Sequence, residues 1–278
     1  MNEPFIKENK EFFYIKEWSK LSSKIVAGFT TKVGGFSEQF NGTLNCGFHV
    51  GDQIEAVKKN RELLSQKLHF PTDSWVGCEQ THGVHIAQIN KADIGKGALN
   101  YESSVKDTDG IYTNVHNILL TLCFADCVPL YFYSEKHNMV GIAHAGWKGT
   151  AKGIAKEMIH TWTEKGIMPK DILVAIGPSI CEKCYIVDNR VIDEIHPWLM
   201  NTVDIPYNEI STGQYQLNLR KLNKIILEKS GIPSENIFVT KYCTSCERDD
   251  FFSHRRDQGN TGRMIGFIGL KGMDDSEG

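Results

Sequence analysis

Residues 118–150 read ILLTLCFADCVPLYFYSEKHNMVGIAHAGWKGT, a series of short apolar runs around Asp126 and Cys127 that ends in a glycine-rich turn. Within it, Ile118–Phe124, Pro129–Tyr133 and Val140–His144 are apolar at both odd and even positions. Runs of this length and pattern predict strands covered on both faces. Further β-type runs lie outward, at Phe12–Ile15, Ile25–Thr31, Val84–Ile89, Ile172–Ile176, Ile237–Thr240 and Met264–Leu270. Three helices are predicted beside them. Asp52 and Glu55 form a capping-box pattern ahead of Ile54, Val57, Leu64 and Leu68, and Pro71 stops the run. Thr150–Lys165 carries Ile154, Met158, Ile159 and Trp162 on one face, and Leu219–Ser230 ends before Gly231 and Pro233. Nine strands against three helices do not fit an alternating βαβ repeat. The pattern predicts an α/β (α+β) chain built on mixed sheets.

At ~150 residues per domain the chain amounts to about two domains, but one large α/β domain is equally ordinary at this length. With no internal repeat, low-complexity block or linker composition, a single domain over residues 1–273 is expected. The acidic tail Asp274–Gly278 is expected to be disordered for want of apolar residues. Hydrophobic residues make up 41% of the chain and charged residues 23%, the balance of a soluble globular protein. A net charge of -3 offers no polycationic face, so nucleic acid is not an expected partner. No run approaches the ~20 apolar residues of a membrane helix, and the N-terminal MNEPFIKENKEF has charges where a signal peptide needs an apolar stretch. A cytoplasmic protein is therefore expected. In a reducing compartment its eight cysteines are better read as metal ligands or catalytic groups than as disulfides.

The chemistry concentrates in four places. GIAHAGWKGT, residues 141–150, runs from a strand through Gly146 and Gly149 into a helix, with Lys148 adding positive charge. A helix start of this kind can receive an anion, or the glycines merely permit a tight turn. It lacks the GxxxxGK[ST] spacing of a phosphate-binding P-loop. Asp126 and Cys127 lie inside a very apolar context, which is costly unless both are partnered. Alternatively Cys127 is a buried structural thiol and Asp126 caps a turn. QTHGVH offers His82 and His85 before another strand. His82, Cys127 and His144 would make a His₂Cys set with an open fourth position, the arrangement of catalytic zinc. Spacing alone does not select these from ten histidines. Lastly, Cys181 and Cys184 form one CxxC and Cys243 and Cys246 another, the spacing of a tetrathiolate zinc site if the fold brings them together. Two separate thiol pairs or a redox couple are the other readings. Cys46, Cys78 and Cys123 read as ordinary buried thiols.

Taken together, QTHG, ADCVPL, AHAGWKG, GPSI with CYIV, and FFSHRRD followed by TGR closely resemble the motifs of the laccase-domain family, the YfiH/YlmD group. Its members are known both as polyphenol oxidases and as purine nucleoside phosphorylases. The resemblance runs from FTTKVGGFSE near residue 29 through LNCGFHVGD to TGR ending at 263. It implies a single layered α/β/β/α domain and a zinc held by His82, Cys127 and His144, with His85 a neighbour and copper the second choice of metal. It also implies phosphorolysis of adenosine, inosine and S-methyl-5'-thioadenosine, and deamination of adenosine. Two positions depart from the family pattern. Lys32 replaces an arginine and lacks its bidentate fork, and His254 replaces a tyrosine.

For such chemistry the expected anion cradle is Lys32, Gly146, Lys148, Arg255, Arg256 and Arg263, and Asp126 is the expected proton-handling or ligand-orienting carboxylate. The arginines also read as solvated surface charges. The expected partners are purine nucleosides and phosphate. Other functions compete. Cys127 with His144 or His82 could form a cysteine hydrolase, with Asp126 orienting the base. A cell-wall (peptidoglycan) precursor editor would use the same pocket. A multicopper oxidase needs clustered HxH patterns, and this sequence has none among its ten histidines.

Overall fold

The computed structural model describes residues 2–40 and 42–272; the expected acidic tail falls outside them. Two six-stranded sheets carry the fold. One has the spatial order Phe5–Lys7, Phe12–Ile15, Ile25–Thr30, Met264–Leu270, Leu119–Phe124, Trp75–Gly77, antiparallel except at its last pair. The other runs Ile237–Val239, Leu173–Ile176, Val128–Ser134, Met139–Ala145, Gly110–Thr113, Ile86–Gln88, with a parallel pair at each edge. A small antiparallel sheet of Ile186–Asp188, Gln214–Leu217 and Tyr207–Ser211 lies apart.

Side-chain alternation along the strands sets the layers. Leu120, Leu122 and Phe124 of the first sheet pack with Tyr131, Tyr133, Val140 and Ile142 of the second, forming a core between the sheets. Tyr131 donates its hydroxyl across that core to the Gly28 carbonyl at 2.7 Å. On the outer face of the second sheet, Leu130, Phe132, Ala143 and Val174 meet Met158, Ile195 and Ile226 from the helices Ile154–Glu164, Asn189–Leu199 and Leu219–Lys229. The outer face of the first sheet, with Leu119, Ile265 and Phe267, is covered by Leu64 and Leu68 of the helix Ile54–Leu68. These four layers are the expected α/β/β/α architecture with mixed sheets.

All nine predicted strands are present, some with trimmed ends. Two helix readings are corrected. Asp52 caps nothing, because its carboxylate accepts from Asn45 Nδ2 at 2.8 Å and from the Gln53 amide at 2.8 Å; the N-cap residue is Gln53. The helix predicted over Thr150–Lys165 is two helices, Trp147–Lys152 and Ile154–Glu164. They break at Gly153, which takes a left-handed φ of +87°, and a Cβ there would lie 2.8 Å from the Trp198 ring. The elements absent from the sequence reading are mostly short, such as Gly110–Thr113 and Trp75–Gly77, or exposed, such as Tyr207–Ser211. The helix Asn189–Leu199 contains Pro197, a residue that argues against helix from sequence.

Candidate metal centre and active site

The strand Leu119–Phe124 belongs to one sheet and Val128–Ser134 to the other, so Ala125–Cys127 is the link by which the chain crosses between them. Asp126 turns that corner with a left-handed φ of +89°. Its carboxylate accepts from Thr244 Oγ1 at 2.6 Å, Ser253 Oγ at 3.0 Å and the Arg255 amide at 2.7 Å. This corner delivers Cys127 to the end of the second sheet, one residue before Val128 pairs with Ala145. His144, on the neighbouring strand, pairs with Pro129. His82 arrives from a loop that it enters with a left-handed φ of +61°.

The three side chains converge. His82 Nε2 lies 3.9 Å from Cys127 Sγ, the two imidazole rings cross nearly at right angles with centroids 4.8 Å apart, and one donor atom from each of the three residues lies within 4.8 Å of the others. Gly146 makes room for them, since a Cβ there would meet His82 Cδ2 at 2.9 Å and Cys127 Sγ at 3.1 Å. His85 stands apart, its Nδ1 bonded to the Asp107 carbonyl and Thr108 Oγ1.

The carboxylate that organises this group is Asp109, which the sequence reading passed over. It is fully buried. It accepts from His144 Nδ1 at 2.8 Å and from the amides of Thr81, His82 and Gly83 at 3.0, 3.1 and 2.7 Å. One side chain thus fixes both the His144 ring and the loop that carries His82. Burial would raise the Asp109 carboxyl, but the His144 bond and these amides outweigh it and hold it down at about 2. With Nδ1–H donated to Asp109, Nε2 is the atom of His144 left for a metal ion, which would displace its proton on binding. Burial would also raise the Cys127 thiol and lower the His144 imidazole. Their mutual attraction wins in both, aided by His82 at the thiol and by Asp109 at the imidazole, bringing the thiol to about 6 and the imidazole to about 9. Two imidazoles and an easily ionised thiol, with the Asp109 carboxylate orienting one imidazole from behind, suit a borderline metal ion, and the group could hold one.

The group opens into a cavity of about 490 Å³, inside the ~300–1,000 Å³ range of small-molecule sites. Lys148, Arg255 and Arg263 stand on its wall with the aromatic rings of Tyr101, Trp147 and Tyr185. Arg255 lies over Tyr185, 4.9 Å from the ring centroid. His49 also lines it, and burial followed by repulsion from Arg263 and Arg61 lowers its imidazole to about 4, so it is neutral at pH 7. His254, at the family's tyrosine position, is on the wall as well.

Three expectations are corrected. Lys32 does not reach the cavity; it is buried against the loop of residues 249–257, near Arg256 and the acids Asp249, Asp250 and Asp257. Arg256 is committed to structure, binding Asp257 at 2.7 and 2.9 Å and the carbonyls of Thr244 and Phe251. Asp126 lines the cavity but orients no imidazole, and its acceptor oxygens serve the loop of residues 244–255. Asp109 was missing from the reading because nothing in DTDGIYT marks it from Asp107, and His49 because LNCGFHVGD, though part of the family resemblance, assigns it no role. Only the pairing of Gly110 with Ala143 places Asp109 beside His144.

The second cysteine group is also assembled. Cys181, Cys184, Cys243 and Cys246 bring their sulfurs within 4.8 Å of one another and could hold a metal ion. Among the described residues no helix is long and apolar enough to cross a membrane.

A four-layer α/β sandwich with a His/Cys/His centre at the sheet ends defines a layered α/β protein with a candidate metal-dependent active site. The chain belongs to the family described as multi-copper polyphenol oxidoreductase laccase, whose model matches residues 26–271. It is 47% identical over 272 residues to purine nucleoside phosphorylase YlmD of Bacillus subtilis (strain 168), covering 96% of this chain and 98% of that protein. It is 50% identical over 247 residues to purine nucleoside phosphorylase YlmD of Geobacillus stearothermophilus, covering 88% and 90%. The crystal structure of YlmD from Geobacillus stearothermophilus superimposes with a TM-score of 0.94 at 46% identity, covering 98% of this chain and all of that one.

Proposed function

We propose that this chain is a zinc-dependent purine nucleoside enzyme that phosphorolyses adenosine, inosine and S-methyl-5'-thioadenosine and also deaminates adenosine. One observation carries the reading: the His82, Cys127 and His144 group and the cationic side chains Lys148, Arg255 and Arg263 share a single cavity with flat aromatic surface. The names of the YlmD relatives support the purine nucleoside phosphorylase part of this reading. His82, Cys127 and His144 would hold the ion, which when bound supplies Lewis acidity and a water of lowered pKa. By accepting from Nδ1, Asp109 fixes the His144 ring so that Nε2 would be the atom that meets the ion, its proton displaced. Lys148, Arg255 and Arg263 draw phosphate into the cavity and orient it, and Tyr101, Trp147 and Tyr185 offer apolar faces to the purine.

In phosphorolysis a phosphate oxygen bonds to C1′ of the sugar as the C1′–N9 bond breaks, and the purine leaves with a proton. In deamination, water adds at C6 of adenine and ammonia departs. Copper is the second choice of metal, since a His₂Cys set also suits it. A second reading has its own observation: Cys127, His144 and Asp109 stand in the order of thiol nucleophile, base and orienting carboxylate, with the thiol and imidazole poised as an ion pair. An added chelator separates the two, because it silences a metal enzyme and unmasks a free thiol.

Adenosine incubated with metal-replete protein, with and without phosphate, tests the proposal. Adenine and ribose 1-phosphate are expected only with phosphate, and inosine in both tubes. Absence of all three with metal-replete protein refutes the nucleoside reading. Thioester or peptide hydrolysis that survives chelation and stops on alkylation of Cys127 would replace it.

A further inference from the structure

From Thr240 to Arg263 the chain forms no helix or strand, yet this stretch carries His254, Arg255 and Arg263 to the cavity wall. Irregular segments of this length inside a compact domain need something to hold them. At its start the stretch meets a second segment, Ser179–Tyr185, whose only regular element is the 3-10 turn Glu182–Cys184, through a parallel bridge between Ser179 and Cys243 and the bond from the Thr244 amide to the Ser179 carbonyl at 3.2 Å. The four CxxC cysteines lie here.

Their arrangement has the marks of a site built around one atom. Cys184 Sγ is 3.5 Å and Cys181 Sγ 3.9 Å from Cys246 Sγ, and all four sulfurs lie within 4.8 Å of each other. Four thiolates at ~2.3 Å from a tetrahedral zinc stand about 3.8 Å apart. Two backbone amides also point at one sulfur, Cys181 N at 3.2 Å and Cys246 N at 3.4 Å from Cys243 Sγ. Amides directed at a sulfur stabilise it as a thiolate. Every one of the four thiols is free, and none is matched to a single partner as a disulfide would require. Bringing four thiols together from two loops gives only weak S–H···S contacts unless an ion joins them.

We infer that Cys181, Cys184, Cys243 and Cys246 form a structural tetrathiolate zinc site, separate from the His/Cys/His centre, that staples the loop carrying Arg255 and Arg263 to the Ser179–Tyr185 segment. The first cysteine pair adjoins the cavity directly, and the second reaches it through one hydrogen bond. Ile180 and Tyr185, which flank the first pair, line the cavity, and Thr244, inside the second, donates to Asp126. Four ligands close the coordination shell, so this ion has no position for substrate.

Metal content of the full-length chain, purified under reductant, tests the inference without relying on nucleoside chemistry. Cys127→Ala removes a ligand from the His/Cys/His centre only and is expected to keep one zinc per chain. Adding Cys184→Ser and Cys246→Ser is expected to take that zinc to zero. Should the triple variant fold poorly, Co²⁺ titrated into zinc-stripped Cys127→Ala gives the same answer: intense thiolate charge-transfer bands and tetrahedral d–d bands saturating at one equivalent. Less than about one-fifth of a zinc per chain in Cys127→Ala, no tetrathiolate spectrum, or recovery of the four cysteines as two disulfides would overturn the inference.

Discussion

The His/Cys/His group and the four-cysteine group each gather residues from distant parts of the chain, but they rest on opposite kinds of support. His144 lies within a buried strand and Cys127 just before another, and Asp109 locks the His144 ring and the His82 loop through four short bonds. The four cysteines sit on turns whose mutual contact is one isolated bridge and a few loop hydrogen bonds. A frame already fixed by sheet pairing can leave a coordination position open for reaction. A frame of loops, here held by Asp126 and Arg256, gains rigidity when an ion closes it. On the reading proposed above, the first centre serves chemistry and the second holds the loops together.

The largest expected effect breaks the first centre outright. Cys127→Ala or His144→Ala should lose that ion and about 10³-fold or more in turnover, since a bound ion supplies several kcal/mol and each ~1.4 kcal/mol is tenfold. The melting temperature should move far less than activity does. A fall in melting temperature with activity retained would reverse the roles assigned to the two groups. Asp109→Asn comes next. An amide has one acceptor oxygen where the carboxylate uses two, so ion affinity or activity should drop ~10–100-fold, measured by competition with a chelating dye. An unchanged affinity would mean that the strands alone position His144.

Smaller effects sharpen the contrast from the other side. Cys184→Ser with Cys246→Ser should lower the melting temperature by roughly 2–4 °C for each kcal/mol lost. It should also raise KM for phosphate more than it lowers kcat, because Arg255 and Arg263 are loosened rather than the reacting centre. A purely kcat effect would count against the staple. Lys148→Met should raise KM for phosphate, whereas Lys32→Met should leave it unchanged. Smallest of all, His85→Ala should keep the full metal content of the His/Cys/His centre.

How far the sequence could be read depended on what each residue's partners were. Strands such as Ile118–Phe124 and Met264–Leu270 were legible because central strands are apolar on both faces. Gly110–Thr113 is only four residues long and left no pattern. The capping box at Asp52 failed because Asn45, seven residues upstream, claims the same carboxylate. Gly153 gave no hint of a break until Trp198 was seen packed against it. His82, Cys127 and His144 came from whole motifs that resemble a family, not from spacing. The two CxxC pairs stood out by spacing, but only the fold could bring them together. Lys32 and Arg256 misled because a basic residue in a motif looks the same whether it faces a ligand or a neighbouring acid.

The last strand among the described residues, Met264–Leu270, lies in the middle of its sheet, paired on one side with Ile25–Thr30 and on the other with Leu119–Phe124. During synthesis every cysteine and histidine discussed above leaves the ribosome before that strand does. Until it arrives, two long apolar strands wait with open edges, the condition that invites pairing with other chains. Closure must join segments far apart along the polypeptide, a topology that folds slowly. Truncating the chain at Arg263 would keep all seven candidate ligands but remove the strand that joins Ile25–Thr30 to Leu119–Phe124, so the first sheet would be split beneath them.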